Sequence, residues 1–213
     1  MNKRVEYLFG KKIETSLLVI SFISFVLLAL DIVFDGAIAH FDKLLYQWSL
    51  AWHTPLLDRL FYNITKMGNL STMLFISLLI SWLLLWRREI KNFLFYTLAM
   101  IGSSLLFSGL KELFARVRPS DHIGELLQHG YSFPSGHATM SMTLSFVIFY
   151  LLYHKVTGGY RVAVILFALL FPLLVGFSRI YLGVHYFSDV SAGLMLGIFW
   201  VVAMSLLLHK KQQ

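Results

Sequence analysis

Cysteine is absent from the 213 residues, which excludes disulfides, thiolate metal sites and a cysteine nucleophile. Charge is scarce as well. Only 14% of residues are Asp, Glu, Lys or Arg, where a soluble domain carries about 25%. No polar linker, internal repeat or low-complexity tract interrupts the chain, so residues 1–213 read as one membrane-embedded domain. The eight histidines come without an HExxH run or a carboxylate cluster, and no metal or other cofactor is expected. What is there is apolar: 58% of residues are hydrophobic, with a mean hydropathy of +0.72. That composition suits hydrocarbon as the solvent, not water.

The net charge is +7 and the isoelectric point 9.6. The basic residues form no single patch; they sit at the ends of apolar runs or inside motifs. A bilayer with anionic lipid is therefore the expected partner, and nucleic acid is not.

Six segments approach the roughly 20 apolar residues that a span needs: 13–34, 70–86, 93–113, 137–154, 161–182 and 189–208. The weaker ones contain small or polar residues and belong inside a bundle, because lipid leaves exposed polar groups unsatisfied. Ala37–Ala39 resembles a signal-peptidase site. The apolar run before it, Ile13 to Phe34, is longer than the roughly 7–15 residues of a secretory signal, so a retained first span is expected. The fold expected is an all-α polytopic bundle of six transmembrane helices. Eleven Lys and Arg residues fall on the side of the two termini and seven on the other. Both termini are thus expected in the cytoplasm. Residues 35–69 read as an outer interfacial segment, with Tyr46, Trp48, Trp52 and Tyr62 as belt residues. Gly193 and Gly197 form a small-xxx-small pair suited to close helix packing.

Three polar clusters break the apolar pattern. In Lys111–Pro119, a helix would place Lys111 and Arg118 two turns apart on one face. Taken alone, the pair also suits snorkelling. In "PSGH", Pro134 suits a first helical turn, and a helix start offers unpaired N–H groups to an anion. Gly136 permits close backbone approach, Ser135 adds a donor, and His137 can give or take a proton. In Ser178–Asp189, the four-residue spacing lets Asp189 accept from one ring nitrogen of His185 and leave the other free to attack. Arg179 offers a planar fork for phosphate oxygens. Each cluster is unremarkable alone. The loops between spans three and four and between spans five and six, however, put all three at one membrane face, where an anion offsets the cost of three cations.

At these residues the chain resembles the type-2 phosphatidic acid phosphatase superfamily, whose pattern is K-x6-RP, PSGH and SR-x5-H-x3-D. All three motifs occur here in order. The resemblance implies a helical bundle and metal-independent lipid phosphatase chemistry through a phosphohistidine. It makes His185 the nucleophile, Asp189 its orienting carboxylate and His137 the acid and base. Lys111, Arg118, Ser135, Gly136 and Arg179 become the phosphate-binding set. The expected substrate is a lipid phosphate or pyrophosphate such as phosphatidylglycerophosphate, phosphatidate or undecaprenyl pyrophosphate. It would be cleaved at the outer face of the cytoplasmic membrane. Transfer of the phosphoryl group to another acceptor, and non-enzymatic lipid-phosphate transport or binding, are the other readings. His122 and His129 receive no role beyond a headgroup contact, and Arg116 is expected to be a surface charge.

Overall fold

The computed structural model describes residues 10–119 and 130–210, and the regular structure within them is helical throughout. His122, His129 and the terminal Lys3, Arg4 and Lys211 lie outside the described residues. The helices are α1 (Lys11–Val33), α2 (Ala37–Leu50), α3 (Pro55–Lys66), α4 (Leu70–Trp86), α5 (Ile90–Phe114), α6 (Gly136–Leu152), α7 (Gly158–Tyr181) and α8 (Phe187–Lys210). Their ends follow from local chemistry. Thr54 caps α3 by accepting from the Leu57 N–H, with Pro55 in the first turn. α5 stops where Ala115 enters the left-handed region at φ 45°. Gly183, at φ 64°, allows the sharp turn between α7 and α8.

α6 is the central helix, packed against α5, α7 and α8, while α1 lies along α8. The core gathers Tyr96 and Ala99 of α5, Leu144 and Val147 of α6, Val175 of α7 and Val201 of α8. Close approach of α6 and α8 depends on the predicted glycine pair. A Cβ on Gly193 would sit 2.6 Å from the Ser135 carbonyl oxygen, and one on Gly197 2.8 Å from the Met142 Cβ.

By length and composition α1, α5, α7 and α8 can each cross a membrane, and α3 with α4, bent by 42° at a short break, makes a fifth as a pair. The remaining expected span, 137–154, the fourth along the chain, corresponds to α6. With 17 residues it is about 26 Å long at 1.5 Å per residue. It is also hydroxyl-rich. Thr139, Ser141, Thr143 and Ser145 are buried, and each bonds a carbonyl three or four residues back. Protein neighbours, not lipid, surround it, so neither its length nor its polarity meets hydrocarbon directly. The 35–69 connection holds two helices, α2 and α3, and α3 leads into α4 across the short break. Trp48, Trp52 and Tyr62 are exposed as belt residues would be, whereas Tyr46 packs edge-on against Tyr186.

The C-terminal end of α5, the start of α6 and the α7–α8 turn meet at one end of the bundle. At the other end the α4–α5 and α6–α7 links are joined by an ion pair of Lys155 Nζ with Glu89 Oε2 at 2.8 Å.

Candidate active site

The K-x6-RP stretch does not run on as a helix. Because α5 ends at Phe114, Arg118 reaches the site along a returning segment and not two turns further up the same face. The two cations still converge. Lys111 Nζ donates to the Tyr131 carbonyl at 2.5 Å, and Arg118 Nη2 donates to the same oxygen at 3.1 Å. Arg118 also donates through Nε to the Gly130 carbonyl at 2.9 Å and through Nη1 to the Val184 carbonyl at 2.8 Å. Those acceptors are neutral. Among the described residues no carboxylate forms an ion pair with Lys111, Arg118 or Arg179.

In the PSGH stretch Pro134 lies one residue before the cap and not in the first turn. Ser135 is the N-cap of α6; its Oγ accepts from the Ala138 N–H at 3.5 Å, and its own N–H donates to the Asp189 carbonyl at 2.9 Å. Its hydroxyl is thus spent partly on the helix start. The Gly136 and His137 N–H groups are first-turn donors that helix geometry leaves without intrahelical partners. Gly136 is also needed for packing, since a Cβ there would lie 2.8 Å from the Phe107 ring. The His137 Nε2 faces Asn69 Oδ1 at 3.0 Å.

Arg179, in the last turn of α7, is completely buried. Its Nη1 donates to Thr65 Oγ1 at 2.6 Å, while Nε and Nη2 are buried with no hydrogen-bond partner among the described residues. His185 stands in the α7–α8 turn, ahead of the helix that carries Asp189. Its Nε2 lies 3.1 Å from Arg118 Nη1 and its Nδ1 3.3 Å from Asp189 Oδ2. A guanidinium only donates, so Nε2 holds the lone pair and Nδ1 carries the proton that Asp189 accepts. Burial pushes the imidazole well below its ordinary pKa, and the Arg118, Arg179 and Lys111 charges push it further. The ring is therefore neutral, with its basic nitrogen facing cations. All eight predicted residues thus gather at one end of the bundle, in a site able to hold an anion beside an uncharged imidazole.

Sequence reasoning missed a second layer of residues. Arg116 is not a surface charge. Its mostly buried guanidinium donates to Asp189 Oδ1 at 2.5 Å, Asp42 Oδ2 at 2.9 Å and Ser188 Oγ at 2.7 Å. Two carboxylates hold its pKa up against the opposing effect of burial. Asp42, Thr65 and Asn69 come from the 35–69 connection, so that segment contributes side chains to the site. Gly68 adjoins them, where a Cβ would lie 2.8 Å from both the His137 ring and Val175. The one available signal was the second arginine in the "ARVRP" run. Beside the site an apolar cavity of about 400 Å³ lies between α2, α7 and α8, lined by Leu45, Trp52, Leu173, Phe177, Phe187 and Leu194 among others.

The chain is similar to known proteins along most of its length. The PAP2 superfamily model matches residues 92–213. Phosphatidylglycerophosphatase B of Bacillus subtilis (strain 168) is 29% identical over 181 residues, which are 84% of this chain and 89% of that protein. The crystal structure of a transmembrane PAP2-type phosphatidylglycerolphosphate phosphatase from Bacillus subtilis superposes with a TM-score of 0.78 at 27% identity, covering 92% of this chain and 97% of the other. Aquifex aeolicus LpxE superposes with a TM-score of 0.60 at 26% identity, covering 76% and 93%.

Proposed function

Because this membrane chain belongs to the PAP2 superfamily, we propose that it hydrolyses the phosphomonoester or pyrophosphate of a membrane lipid through a phospho-His185 intermediate. One observation carries the reading: a completely buried Arg179 guanidinium with two donor nitrogens that bond nothing among the described residues. Buried unpaired donors on a cation are costly. A phosphate with equatorial oxygens at Nε and Nη2 removes that cost.

The reaction follows from the groups around it. Lys111, Arg118 and Arg179 hold the phosphoryl oxygens, with the Gly136 and His137 N–H groups and Ser135 at the α6 start, and stabilise charge that grows in the transition state. His185 Nε2 attacks phosphorus as the bond to the leaving oxygen breaks, and His137 gives that oxygen its proton. Asp189 keeps the Nδ1 proton in place and stabilises the imidazolium. Water then attacks the phosphohistidine with His137 as base, and the P–N electron pair returns to Nε2. Three fixed cations supply the electrostatics, so activity is expected in excess chelator.

A relative matched over most of both chains is a phosphatidylglycerophosphatase, which favours phosphatidylglycerophosphate over phosphatidate or undecaprenyl pyrophosphate. The apolar cavity beside α8 offers space for part of a hydrocarbon chain. We place the site at the outer face of the cytoplasmic membrane, with α6 completing six spans as the fourth and both termini inside, on the distribution of Lys and Arg.

The test uses purified protein in detergent with the three lipids in ¹⁸O-labelled water. Label in released phosphate and near-total loss of turnover in His185→Ala are expected. Phosphate passed to an added acceptor in place of water would make the protein a phosphotransferase. An intact function in His185→Ala would point to a binder or transporter.

A further inference from the structure

Four basic side chains surround His185 and Asp189, and one of them differs in kind. Among the described residues Lys111, Arg118 and Arg179 donate only to neutral acceptors, so their charge is available to an anion. Arg116 is already neutralised. It lies between the Asp189 and Asp42 carboxylates, with the Tyr186 ring 4.3 Å from its guanidinium carbon. Asp42 closes the arrangement by accepting from the Ser188 N–H at 3.0 Å and pairing with the Ser188 hydroxyl. One ring of contacts thereby joins α2, the segment after α5 and the first turn of α8.

We infer that Arg116 and Asp42 are positioning residues that set the rotamer of Asp189 and, through it, the aim of His185. This rests on the reading of His185 as nucleophile. Asp189 has two oxygens to assign. Arg116 takes Oδ1, and the Tyr186 N–H holds Oδ2 at 2.9 Å, where Oδ2 also meets the His185 Nδ1 proton. Without Arg116, Oδ1 is a buried carboxylate oxygen lacking its donor, and the group is free to turn toward another one. The Nδ1 contact is long already at 3.3 Å, so a small rotation releases the imidazole. Asp42 acts one step further out, holding Arg116 by the nitrogen that does not face Asp189.

Such a residue acts on the chemical step and not on phosphate binding. In Arg116→Ala, kcat is expected to fall about 10–100-fold, by analogy with the outer partners that orient a metal-bound imidazole, with KM within about twofold. Guanidinium ion below denaturing concentration should restore part of that kcat. Arg116→Lys should fall between, because an ammonium lacks the planar fork that reaches both carboxylates. Asp42→Asn should lower kcat less than Arg116→Ala, again at unchanged KM. If Arg116→Ala fails to fold, Arg116→Lys and Asp42→Asn carry the test. Wild-type kcat in folded variants, with His185→Ala inactive, overturns this inference and leaves the proposed function standing. A loss that is not rescued and follows thermal stability overturns it as well. Full turnover in His185→Ala removes both.

Discussion

The two parts of the chain contribute to the site in opposite ways. Residues 92–213, which the family model matches, bring the cations and both imidazoles. The stretch before them brings short oxygen-bearing side chains: Asp42 to Arg116 and Ser188, Thr65 to Arg179, and Asn69 to His137. The first set faces the anion, and the second set holds the first. Groups that must meet a phosphate with fixed geometry are concentrated in three short motifs. Groups that only need to hold a neighbour can come from anywhere that the bundle brings close.

Arg179→Met is expected to break the comparison hardest. It removes a donor pair from the charge that builds on phosphorus, and kcat should fall about 10²–10³-fold, as for loss of one oxyanion donor. The fold should lose nothing, since the side chain removed is a buried cation with unmet donors. Thermal unfolding in detergent should show a melting temperature equal to or above that of the parent. A marked drop would mean that Arg179 is structural. Thr65→Val, from the other part of the chain, should do the reverse. It strips the Thr65 hydroxyl from a buried guanidinium and costs about 1–3 kcal/mol of stability, with a smaller loss of activity. On the Arg179→Met background most of that cost should vanish, which a double-mutant cycle reads directly.

The motif half was largely legible because its signals are local. Helix starts, spacings and glycines place Ser135, Gly136, His185 and Asp189, and the six apolar runs correspond to α1 and α4–α8. Where the reading erred, the cause was also local. Two-turn spacing from Lys111 to Arg118 presumes a helix that Ala115 ends. The same presumption turned Arg116 outward, whereas the returning segment points it at two carboxylates. Asp42, Thr65 and Asn69 left no trace, because each acts across a sequence distance of 68 to 146 residues and none belongs to a pattern. A lone polar residue in an aromatic, partly charged segment reads as solvated until the bundle is assembled.

Acidity separates binding from orientation within the motif half. His185 must be neutral to attack, and burial followed by the Arg118, Arg179 and Lys111 charges keeps its pKa well below the usual range. The acid limb of kcat/KM attributable to this group therefore lies far below pH 6.5. Arg118→Ala removes the nearest of those charges. The pKa of His185 then rises, more of the enzyme is protonated at a given low pH, and the acid limb moves toward neutrality. An acid limb that stays in place would show that Arg118 does not act on the imidazole.

Asn69→Ala tests the N-terminal part at its mildest contact with the site. The Asn69 carbonyl oxygen lies 3.0 Å from His137 Nε2, and its loss leaves a ring that Gly68 still packs against. Because packing still holds the ring, kcat should fall by about tenfold or less, toward the low end for second-layer partners of an imidazole.

The smallest effect is expected far from the site. Lys155 and Glu89 form an ion pair at the opposite end of the bundle, with side chains 44% and 28% exposed. A pair this open contributes about 0–1 kcal/mol and is screened by salt. The Lys155 hydrogen bond, opposed by partial burial, holds the Glu89 carboxyl below its ordinary value of 4.5. Its contribution is thus present above that pH and fades as pH falls through the folded value. Lys155→Met should leave kcat and KM unchanged and shift the melting temperature only slightly, less so at high salt. Any change in turnover would mean that the two ends of the bundle are mechanically coupled, and the division between binding and holding groups would have to extend through the whole membrane.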